Sequence, residues 1–143
     1  MHFLITAAIV ISLFAGSSTG YCERPPHLVE EAGGLNVYMG VMETSNPDVA
    51  WKGENPKSED THHLVFVFRN AKTGRAENTT GIKLKVRAPS GATLVDSAVK
   101  QFIAKGIASY GQFLNLKEEG RYEATVTFPH GGREHSVTFR FKK

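Results

Sequence analysis

The sequence predicts an all-β fold, an immunoglobulin-like Greek-key β-sandwich of about seven strands preceded by a signal peptide. Three observations carry this. Beyond the first residues, apolar and polar side chains alternate with period two in several runs, and no segment sustains the 3.6-residue period of a helix. Short runs rich in Val, Ile, Thr and aromatics are separated by Gly, Pro, Asn and Asp turn signals. Late in the chain, Gly120-Arg121-Tyr122 places a tyrosine just after a tight turn at the start of a strand, the tyrosine-corner pattern of such sandwiches.

The 143 residues have room for one domain. Residues 1–20 read as a signal peptide. Met1 to Phe14 is apolar yet short for a membrane span, and Ala15-Gly16-Ser17-Ser18-Thr19-Gly20 supplies the small residues of a cleavage site. Only the amino terminus and His2 give the leader positive charge, so an uncleaved N-terminal anchor is the alternative reading. Cleavage after Gly20 exposes Tyr21, and the bulk of Tyr21 directly before Cys22 argues against a lipid-anchored cysteine. As the single cysteine, Cys22 cannot form an internal disulfide, so the fold rests on its core. Residues 21–33, with Pro25-Pro26, read as a linker, and residues 34–143 as the sandwich.

Leu35, Val37, Met39 and Val41 alternate with Asn36, Tyr38, Gly40 and Met42, which predicts a strand with one buried face. Residues 43–61 form a polar, turn-rich loop with Trp51 as its one large apolar residue. Its length marks it as a candidate binding loop, although Trp51 stapling the loop to the sandwich explains it equally well. The strongest strand is His62-His63-Leu64-Val65-Phe66-Val67-Phe68-Arg69, followed by a half-buried strand on Ile82, Leu84 and Val86. Residues 92–107 fit neither period and admit a strand, a helical turn or both. Three further strands follow at 109–116, 122–128 and 135–141, the last two joined as a hairpin. Leu64, Phe66, Phe68, Val126, Phe128, Val137, Phe139 and Phe141 are the expected core.

The net charge is +3 and the isoelectric point about 9.1, but the charges are interspersed. No Lys/Arg block exists to track a phosphate backbone, so no nucleic-acid partner is expected. Nucleophile elbows, phosphate-binding Gly loops and His-Glu-x-x-His helices are absent from the sequence, which points away from an enzyme. What remains is a cluster of soft and borderline metal donors: His62, His63, Met39 and Met42, with His130 and His135 around the final hairpin. Strand parity puts His62 on the face of Leu64 and Phe66, and Met39 on the apolar face of its own strand, so an imidazole and a thioether could meet at the end of that layer. Met42 falls on the opposite face. The plainer reading is also open, because paired surface histidines are often only solvated and a Met on an apolar face is usually core.

The segments Leu35-Asn36-Val37-Tyr38-Met39-Gly40-Val41-Met42, His62 to Arg69, Ala71-Lys72-Thr73-Gly74-Arg75, Tyr110-Gly111-Gln112-Phe113-Leu114-Asn115-Leu116 and Gly120-Arg121-Tyr122 together resemble the YtkA-like periplasmic proteins. The resemblance implies an immunoglobulin-like sandwich in the bacterial periplasm, distantly similar to the copper-resistance (CopC-like) domains. It further implies a role near copper handling and oxidase assembly, with His62, His63, Tyr38 and Met39 carried over. The chain departs from the copper-resistance sandwiches in lacking a Met-rich N-terminal run. Two functions follow as expectations. One is a metal-binding or metallochaperone domain with a copper ion as ligand. The other is a metal-free interaction module that docks a periplasmic or membrane-bound partner protein through the 43–61 loop or an edge strand.

Overall fold

The computed structural model of the chain describes residues 28–45 and 55–143. The leader, Cys22 and Trp51 lie outside the described residues. The first five strands are β1 (Leu28–Ala32), β2 (Leu35–Glu43), β3 (His62–Asn70), β4 (Ala76–Glu77) and β5 (Lys83–Arg87). The remaining five are β6 (Thr93–Ala98), β7 (Lys100–Ala104), β8 (Ile107–Leu114), β9 (Arg121–His130) and β10 (Arg133–Lys142). All pairs are antiparallel. One sheet runs β1-β2-β3-β8-β7 with β4 also on β3, and the other runs β10-β9-β5-β6. No helix occurs among the described residues.

The two sheets bury one shared core because each strand keeps its apolar parity. Leu35, Val37 and Met39 of β2, Leu64, Phe66 and Phe68 of β3, and Leu84 and Val86 of β5 are all fully buried. Tyr122, Ala124, Val126 and Phe128 of β9 join them, with Val137 and Phe139 of β10. Phe141, the last of the expected core positions, is half-buried and stacks on Tyr122 at 5.5 Å. Tyr122 is the corner that its place after Gly120 predicts. Its hydroxyl donates to the Glu118 carbonyl at 2.6 Å and accepts from the Glu118 N–H at 2.9 Å.

The strand count is higher than the sequence suggests, for local reasons. Residues 28–32, assigned to the linker that Pro25-Pro26 marks, pair with β2 as an edge strand. Such a strand needs little apolar surface, so its period is masked. The ambiguous stretch 92–107 holds two strands and no helical turn. The chain leaves one sheet after Ala98 and enters the other at Lys100, and the change of sheet at Val99 breaks the alternation.

Candidate functional site

His62 and His63 open β3, where the register fixes their neighbours. His63 stands directly across from Met42 on β2 and from Phe113 on β8, whereas His62 stands across from Glu43 and Leu114. Because adjacent side chains of a strand point to opposite faces, His63 and Met42 share the outer face of the six-stranded sheet, away from the core. His62 shares the parity of Leu64 and Phe66 and lies half-buried at the end of that layer. Its Nδ1 is 2.7 Å from the Thr61 hydroxyl.

Although on the outer face, His63 is only 6% exposed. Its ring stacks on Phe113 with centroids 4.1 Å apart and planes at 16°, and Phe102 of β7 lies beside it at 5.9 Å. Gly111 completes the seat. A Cβ there would overlap the imidazole at Nε2 and would come 3.0 Å from Phe102. Glycine in a strand here serves close approach by a side chain from the neighbouring strand. Burial pushes the His63 pKa down to about 4, so its imidazole is neutral at any pH near 7. Burial lowers the His62 pKa as well, with Glu43 opposing the shift and Lys143 adding to it.

The expected meeting of His62 with Met39 does not occur. Met39 is fully buried in the core and pairs with Phe66, which lies two same-face positions along β3 from His62, about 13 Å along the strand. Met42, off the favoured face by parity, is instead the methionine paired in register with a histidine, because that histidine is His63. His130 and His135 stay apart from this pair. The His135 ring lies against Gly33 in the β1–β2 turn, and its Nε2 is 2.9 Å from the His130 carbonyl. That turn is at the opposite end of β2 from Met42, roughly 30 Å away.

Among the described residues no three His, Cys, Asp or Glu side chains converge to hold a metal ion. Strand register sets one imidazole and one thioether, those of His63 and Met42, on opposed positions of the same face. A neutral imidazole beside a thioether fits copper, and Cu(I) above all, better than the hard cations, but it is fewer donors than a closed zinc site uses. Sequence reasoning missed Phe102, Phe113 and Gly111 as the walls of this seat. Nothing in their local spacing signals it, because strand pairing alone brings them to His63.

No protein-family profile matches the chain, and no curated protein matches it. Solved structures do. A DUF4426 family protein from Pseudomonas aeruginosa is similar with a TM-score of 0.68 and 14% identity, over 86% of this chain and 97% of that one. FetP of uropathogenic Escherichia coli strain F11, expressed in the periplasm, gives 0.63 and 13% over 87% and 97%. The copper-reconstituted P19 protein of Campylobacter jejuni gives 0.62 and 13% over 82% and 94%. At these identities the likeness is one of fold: the chain is built on the same β-sandwich as these proteins.

Proposed function

We propose that this chain is an exported, periplasmic copper-binding β-sandwich, a carrier or metallochaperone and not an enzyme, with Met42 and His63 as its donor pair. The observation that carries the reading is the direct cross-strand placement of a thioether and an imidazole held neutral by burial. Two of the structures with the same fold, P19 and a variant of FetP, are copper-bound, which supports copper as the ion. Copper here is cargo. The chain supplies a soft sulfur, a borderline nitrogen and an apolar wall of Phe102 and Phe113 that limits water at the site. The Irving–Williams order places Cu(II) above zinc at such nitrogen donors, and the Met42 thioether favours Cu(I).

The test is titration of the folded protein with Cu(I) under anaerobic conditions and with Cu(II) in air. His63→Phe and Met42→Leu should each weaken Cu(I) binding by about tenfold or more, while His130→Ala and His135→Ala leave it unchanged. Because ligation needs neutral imidazole, binding through His63 should persist as the pH falls below 6.5 and fail only toward 4. Equal affinities for wild type, His63→Phe and Met42→Leu would overturn the assignment.

A further inference from the structure

A second surface adjoins the His63 seat, with Phe113 common to both, and is carried by strand edges and charges and not by the metal reading. β7 pairs with β8 from Ile107 as far as Gly111, so Gln112, Phe113 and Leu114 have no partner strand on that side among the described residues. Facing them is β6, which pairs with β5 on one side and with no other described strand. Between β6 and the end of β8 runs a groove of about 510 Å³, within the size range of ligand sites. Leu94 and Val95 form one apolar wall, with Tyr122 also lining the groove. A register shift between Val86 and Arg87 makes Leu94 the extra residue of a bulge, and it is 40% exposed.

The edge of β6 is open in a second sense. Thr93-Leu94-Val95-Asp96-Ser97-Ala98 contains no Lys and no Pro, and among the devices that keep edge strands from pairing it has only the bulge at Leu94 and the single charge of Asp96. Its outward backbone groups follow from the ladder. The Val99 N–H donates to the Ile82 carbonyl, across to the β5 side, so alternation turns the N–H and carbonyl of Ala98 and Asp96 away from β5. The charge of the groove selects among strands that could pair there. Glu59, Asp60 and Glu118 line it against the single cation Lys117, in a chain whose net charge is +3. Two of these carboxylates are held in place: Glu118 accepts from the Ser90 N–H at 2.9 Å and hydroxyl at 2.7 Å, and Asp60 from the Lys57 N–H at 2.8 Å. Each keeps further lone pairs for an incoming cation.

We infer that this groove binds an extended, basic polypeptide segment of a partner protein, which adds as a strand to the free edge of β6. Its main chain pairs with Asp96 and Ala98, alternate apolar side chains meet Leu94 and Val95, and Lys or Arg side chains reach Glu59, Asp60 and Glu118. The probe is a fluorescent peptide of alternating lysine and valine, with an alternating glutamate and valine peptide as its counterpart, read by anisotropy against the full folded chain. The lysine peptide should bind about tenfold or more tighter than the glutamate peptide, and added salt should weaken it. Glu59→Gln combined with Asp60→Asn should reduce that preference. Asp96→Pro removes an outward N–H without removing a β5–β6 bond and should abolish binding, whereas Asp96→Asn, which controls for the lost charge, should retain most of it. Equal binding of the two peptides, no binding of either, or full binding by a folded Asp96→Pro variant would each overturn the inference. If the proline variant does not fold, the carboxylate double variant decides, and an unchanged peptide preference there overturns it.

Discussion

An imidazole in water titrates near 6.5, and the His63 ring, packed between Phe113 and Phe102 over Gly111, titrates near 4 because its charged form is denied solvent. The folded value lies below the unfolded one, so the unfolded chain binds the extra proton between those two pH values. Stability from this group is therefore complete above pH 6.5 and is lost as the pH falls through 4. His63→Phe keeps a ring of similar shape and removes the titration, so denaturation midpoints measured from neutral to acid pH should fall less in this variant than in wild type. Gly111→Ala should force the ring out of its seat, raise its pKa toward 6.5 and lower stability at neutral pH, which proton NMR titration of the imidazole checks directly. The doublet His62-His63 is plain in the sequence, and strand parity separates its two faces. The depth of burial is not, because Phe102, Gly111 and Phe113 lie about forty to fifty residues downstream and reach His63 only through the β3–β8 and β7–β8 pairings.

Each strand read from a clear period-two run is present, and the boundaries moved where turns intervene. Three two-residue hairpin turns, at Gly33-Gly34, Lys105-Gly106 and Gly131-Gly132, hold both central residues at positive φ, as a type I′ turn requires. Lys105 is the exception in composition, a side-chain-bearing residue at φ 50° between β7 and β8. A left-handed backbone costs an ordinary L-residue roughly 1–2 kcal/mol, and asparagine tolerates it better than lysine. Lys105→Asn should accordingly raise stability by about 0.5–1 kcal/mol, measured by urea denaturation with an unchanged m-value. A destabilised variant would mean that the lysine makes a compensating contact. The same turn explains why residues 92–107 resist reading from sequence. Two short strands, a change of sheet at Val99 and a tight turn are compressed into a stretch where neither period can establish itself.

At the scale of the whole molecule, two sheets must be held together without a covalent link, because the chain has one cysteine. The join is aromatic: Phe66 of one sheet meets Phe139 of the other at 6.3 Å, and Phe68 meets Phe128 edge-on at 5.0 Å. Two buried tyrosines tie loops to this core through their hydroxyls. Tyr122 holds Glu118, and Tyr110 accepts from the Thr79 N–H at 2.9 Å and donates to the Thr79 carbonyl at 2.6 Å. Phe66 is fully buried at the centre of β3, flanked by Met39 and Tyr110 in the ladder. Truncation to alanine removes the ring from the sheet-to-sheet contact and leaves a cavity that rigid strands on both sides cannot close. Phe66→Ala should cost about 3–5 kcal/mol, a large share of the roughly 5–15 kcal/mol that stabilises a typical domain. Equilibrium denaturation of the two proteins measures the difference. A loss under about 1 kcal/mol, the scale of surface substitutions, would contradict the inward parity of β3 and with it the outward placement of His63 on which the donor pair depends.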